Sequence, residues 1–278
     1  MTATLLRSAL GFAQISNEQC CSTDHRQRNV NANSKCCFES AVQKSESQSN
    51  SDLSMTKKRD TDLNSLRDLV SKMGGLTTSM TQQVVELLRG EDLESLNTMI
   101  GSEEQTLDMM EIDVDNEAVH LMTIHSPVAS ELRFVLSVMR VSTYLERIGD
   151  QTKNICKYLK LMYLHEDSEP HVQMEAMGEL VARMVRDAMG AFIQNDAPLA
   201  QHVIASDSRV DAIEDLIIAE LLERESDSRD SNGSHDVAWM MAQVLICRSL
   251  ERIGDHATNI CEEVLYVVGD RDIARDGG

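Results

Sequence analysis

The chain has 278 residues, with 46 Asp plus Glu against 26 Lys plus Arg, a formal charge of -20, 42% apolar residues and only 3% aromatic ones. So acidic a surface repels phosphate backbones, and with no basic stretch to offset it, direct nucleic-acid binding is excluded. Three prolines (Pro127, Pro170, Pro198), 16 Met and few β-branched runs exclude a β-sandwich and predict an all-α chain.

Residues 1–55 are rich in Ser, Asn and Gln and balanced in charge, so they are expected to form a disordered tail. The opening MTATLLRSALGFAQIS carries Arg7 in its apolar part and lacks a small-residue cleavage site, which argues against a signal peptide. No window approaches the roughly 18 to 20 apolar residues of a membrane span, so a cytoplasmic chain in a reducing compartment is expected. The pairs Cys20-Cys21 and Cys36-Cys37 poorly match zinc-loop spacing. Met55, just before TKKRD, offers an alternative start, which would make residues 1–54 an upstream extension.

From Asp60 onward the apolar residues recur at spacings of three and four. A first helix is predicted over 61–89, ended by Gly90-Glu91, and a second over 92–124, ended at Ser126-Pro127 because the residue before Pro is pushed out of the α region. A third spans 129–164, and residues 166–170 form a loop. The fourth, fifth and sixth cover 172–194, 198–224 and 237–268, with SDSRDSNGSH between the last two.

The chain repeats itself. LERIGDQTKNIC (Leu145 to Cys156) matches LERIGDHATNIC (Leu250 to Cys261), and Glu104, Asp108 and Glu111 match Asp207, Asp211 and Glu214. Agreement in order and spacing across successive helices implies a duplication, hence two tandem three-helix bundles, over 60–166 and 171–270. Glu146, Asp150 and Asn154 share one helix face, as do Glu251, Asp255 and Asn259. Like charges at this spacing repel and need a compensating cation unless they are solvated. If the second and third helices of each bundle face each other, their carboxylates form an oxygen-rich set suited to hard or borderline cations. His256 is a further candidate ligand, although its repeat partner is Gln151.

Gly149 and Gly254, in mid-helix, point to close packing or ligand room. Cys156, Cys247 and Cys261 are read as small buried hydrophobes, Met109-Met110 and Met240-Met241 as core fillers, and Trp239 as an anchor for the sixth helix. A di-iron carboxylate oxidase would want Glu-x-x-His on two helices, and only Glu117 to His120 supplies it. There is no Walker motif and no GxGxxG, and no catalytic residue is assigned.

These residues, the doubled LERIGDxxxNIC with its preceding acidic pair and the segment Ser126 to Arg133 (SPVASELR), resemble the PhoU family of phosphate-signalling regulators. The resemblance covers about Leu63 to Gly269 and implies E(D)xxxD motifs that bind metal clusters, with iron, Mn, Mg or Zn as the metal. One cluster would use Glu104, Asp108, Glu146, Asp150 and Asn154, the other Asp207, Asp211, Glu251, Asp255 and Asn259. It also implies a dimeric, cytoplasmic, non-enzymatic negative regulator of the phosphate regulon. Such a regulator meets the ATPase subunit of the phosphate ABC transporter and a PhoR-type histidine kinase, and reaches the membrane only through them.

Overall fold

The computed structural model describes the backbone of residues 30–90, 102–163, 170–228 and 237–276, and side chains over 56–90, 102–163, 170–224 and 237–269. These segments form six helices: α1 (Val30–Leu88), α2 (Glu103–His125), α3 (Ala129–Met162), α4 (Met174–Gln194), α5 (Ala197–Ser228) and α6 (Val237–Asp276). There is no strand among the described residues. By contact the chain divides into Met1–Thr56 and Lys57–Gly278. The disorder expected over residues 1–55 is corrected for 30–55, whose backbone is helical as the start of α1, while residues 1–29 lie outside the described residues. The side chains of both cysteine pairs, and all but Pro170 of the loop expected at 166–170, also lie outside what is described.

The helix ends follow local chemistry. α1 starts at Val30 rather than at the expected Thr61, and no Gly or Pro interrupts residues 30–72. It ends where Gly90 takes a left-handed conformation, φ 81°. Asn195 does the same after α4, φ 54°, and its N–H caps the Ala191 and Phe192 carbonyls. Asp196 Oδ1 then accepts the Leu199 N–H at 3.0 Å and opens α5. Ser126 is left-handed ahead of Pro127, and the Glu131 carboxylate accepts the Val128 N–H at 3.2 Å, which starts α3. α5 runs on to Ser228, so the loop expected from Ser226 begins later than composition suggested.

Within Lys57–Gly278, α3 packs on α6, α2 on α3, and α4 and α5 on α6 and on each other. α1 meets α4 so closely that a Cβ on Gly74 would strike Met189, and one on Gly178 would press on Leu88 Cδ1. One continuous apolar core runs through both halves, from Leu66, Val70, Met73 and Met80 to Ile246, Leu250, Ile253 and Ile260. α4 buries a broad face, whereas α2 buries only Leu107, Val114, Ala118 and Leu121. α2 is therefore held on one narrow seam and its polar sides stay at the surface.

Polar contacts tie the halves together. Glu263 on α6 is buried and accepts from Ser137 Oγ at 2.8 Å and from Arg140 at 3.0 Å, both on α3. Arg89 at the end of α1 pairs with Glu175 and Glu179 of α4. Cys156, Cys247 and Cys261 are buried, with thiols pushed by burial up to about 12, as expected of small hydrophobes. Trp239 packs against the core with Arg224 over its ring. The paired methionines are a correction: Met110 and Met240 meet the core, but Met109 and Met241 are exposed, because adjacent helix positions cannot share a face.

Candidate functional site

α2 and α3 run antiparallel and touch along a short ladder. At one end Thr143 Oγ1 donates to Glu111 Oε1 at 2.8 Å; at the other the Lys153 ammonium donates to Glu104; between them Leu107 lies against Gly149. α5 and α6 repeat the arrangement. Arg248 Nε stands 3.7 Å from Glu214 Oε1 at one end, Thr258 Oγ1 lies 3.4 Å from Asp207 Oδ1 at the other, and Gly254 sits between them beside Val210. The helix spacing of four makes this possible, since it puts the acidic residues of each helix on one side, next to the apolar seam.

The carboxylates in each set feel one another. Glu146 is pushed up to about 7, first by burial and then by Asp150, Glu111 and Asp108. Its repeat partner Glu251 is also pushed up to about 7, again by burial first and then by Asp255 and Glu214. Asp207 and Glu214 are raised as well, burial being the largest cause for both. Lys153 is held above its ordinary value, chiefly by its hydrogen bond to Glu104. Glu104, Asp108, Glu111, Glu146 and Asp150 thus lie along one seam within electrostatic reach of neighbours in the set, and Asp207, Asp211, Glu214, Glu251 and Asp255 do so along the other.

Asn154 Oδ1 accepts from Lys157 Nζ at 3.4 Å, and Asn259, half-buried, lies one turn beyond Asp255. His256 stacks on Tyr144 of the other half, with ring centroids 6.1 Å apart, and its Nδ1 is buried without a hydrogen-bond partner. Burial, and then Arg147, lower its pKa. His120 on α2 is exposed.

Among the described residues no group of three His, Cys, Asp or Glu side chains is arranged to hold a metal ion. The donor set itself fits a hard or borderline cation, being all oxygen and short of positive charge. Glu214 Oε1 is buried yet has no hydrogen-bond partner, an atom that a cation would satisfy. Lys153, Thr143, Arg248 and Thr258 escaped the sequence reading. Lys153 and Thr258 occupy one of the three positions at which the two LERIGD segments differ, and that mismatch was the available signal.

The family profile described as "PhoU domain" matches residues 70–159 and 174–264, one match in each half. A "Phosphate-specific transport system accessory protein PhoU homolog" of Zymomonas mobilis is 34% identical over 74% of this chain and 85% of its own length. The Escherichia coli "Phosphate-specific transport system accessory protein PhoU" is 27% identical over 78% of this chain and 88% of its own length. Among solved structures, PhoU from Pseudomonas aeruginosa superposes with a TM-score of 0.70 at 29% identity, covering 76% of this chain and 99% of that one. The two profile matches fall on the two halves that the repeat defines, and the chain belongs to the PhoU family.

Proposed function

We propose that this chain is a metal-binding regulator of phosphate uptake and phosphate-starvation signalling that restrains the phosphate regulon when phosphate is plentiful. It acts by contact, with the ATPase subunit of the phosphate ABC transporter on one side and a PhoR-type histidine kinase on the other, and performs no catalytic step. It works as a cytoplasmic homodimer that approaches the membrane through these partners. No helix among the described residues is long and apolar enough to cross a membrane.

The observation that carries this reading is the pair of carboxylate sets, one on the α2–α3 seam and one on the α5–α6 seam, in a chain whose relatives are named phosphate-specific transport system accessory proteins. Glu104, Asp108, Glu146, Asp150 and Asn154, with Glu111 beside them, would hold one metal group. Asp207, Asp211, Glu251, Asp255 and Asn259, with Glu214, would hold the other. A cation held there would supply charge that neutralises the facing carboxylates. Deletion of the gene is expected to raise phosphatase expression under phosphate excess, measured with a chromogenic phosphate ester; unchanged expression contradicts the proposal.

A further inference from the structure

The two carboxylate sets descend from one motif but are not equally short of positive charge. At the position where the third helix of each half meets the first acid of the preceding helix, α3 carries Lys153 and α6 carries Thr258. Lys153 donates directly to Glu104, and its side chain is 23% exposed, so its ammonium is held inside the first set. Thr258 brings only a hydroxyl to Asp207, at 3.4 Å, and no charge. At the opposite end the roles reverse: Thr143 donates to Glu111, while Arg248 stands near Glu214. Arg248 does not replace Lys153, because it is 3.7 Å from the carboxylate and its side chain is 60% exposed, where water screens it.

We infer that Lys153 is a resident counter-ion of the first carboxylate set, so that the two sets differ in their demand for metal and the second, around Asp207, Glu214, Glu251 and Asp255, takes up divalent cation first. This rests on the metal-binding reading above. An ammonium on Glu104 opposes a second cation there by like-charge repulsion and by occupying the oxygen that a metal would use. In the second set the corresponding oxygen, Asp207 Oδ1, meets the uncharged Thr258 hydroxyl, and Glu214 Oε1 is buried without a hydrogen-bond donor among the described residues.

The test is a Mn²⁺ titration of the full chain, stripped of metal with a chelator, by isothermal titration calorimetry with elemental analysis of Mn per chain. The wild-type chain is expected to show one tight class of site and a second class at least about tenfold weaker. Lys153→Thr, which installs the residue of the other half, should tighten the weak class by about tenfold or more, while Lys153→Arg, which keeps the charge, should leave it weak. Thr258→Lys should weaken the tight class, and circular dichroism checks its fold; if it fails to fold, the two Lys153 variants still decide. Two equal classes, or a weak class that Lys153→Thr leaves unmoved, would overturn the inference while sparing the metal-binding reading. No Mn²⁺ uptake by any variant would overturn both.

Discussion

The two halves share the sequence LERIGD and the same pair of facing helices, yet they differ in how that seam is filled and charged. In the first half a Cβ on Gly149 would run into Leu107 Cδ1, which is fully buried, and Lys153 sits on Glu104. In the second half a Cβ on Gly254 would meet Asp207 Oδ1, Val210 and Met184 at 3.7 to 3.8 Å, ordinary contact, and no lysine enters. Duplication therefore preserved the carboxylates of the two seams, while steric and electrostatic detail drifted around them. Identical motifs do not guarantee identical sites.

The largest expected break in the symmetry is steric. Gly149→Ala should destabilise the chain by about 1–3 kcal/mol through overpacking against Leu107. Gly254→Ala should be neutral or stabilising by up to about 1 kcal/mol, since Ala is the better helix former. Urea denaturation of the two variants compares them directly; equal losses would mean that the two seams are packed alike. A smaller effect sharpens the contrast between the halves. Glu263 ties α6 to Ser137 and Arg140, whereas its repeat counterpart Tyr158 carries no charge. Glu263→Ala should cost about 1–2 kcal/mol by leaving the Ser137 hydroxyl buried without its acceptor, and the same denaturation curves would show it.

Much of this was legible in the sequence because periodicity and doubling are strong signals. The all-α fold follows from the apolar spacing, and the ends of α1 and α2 were marked by Gly90 and by Ser126 before Pro127. The carboxylates of each set were found because a duplicated spacing of four places them on one helix face. Other features depend on tertiary placement, which spacing does not encode. Met109 and Met241 look like core residues by type but fall on outward faces. Gly149 and Gly254 look alike until their neighbours are known. Lys153, Thr143, Arg248 and Thr258 gain meaning only when the facing helix brings a carboxylate to them.

The smallest expected change bears most directly on the central claim, that the carboxylate sets are short of cations. Glu146 and Glu251 stand at about 7 in the folded chain against an ordinary 4.5, so between those values the folded state binds more protons than the unfolded one. Stability of the metal-free chain should therefore fall as pH rises through this window and level off above it, by about 1 kcal/mol per site after allowing for solvent screening of half-buried groups. The decisive measurement is Tm of the chelator-stripped full chain from pH 4.5 to 8, with and without Mn²⁺, for wild type and for Glu146→Gln plus Glu251→Gln. The expected result is a Tm that drops with rising pH in the wild type, recovers on adding Mn²⁺, and changes little in the double variant. A wild-type Tm that is flat across the window and indifferent to Mn²⁺ would contradict it.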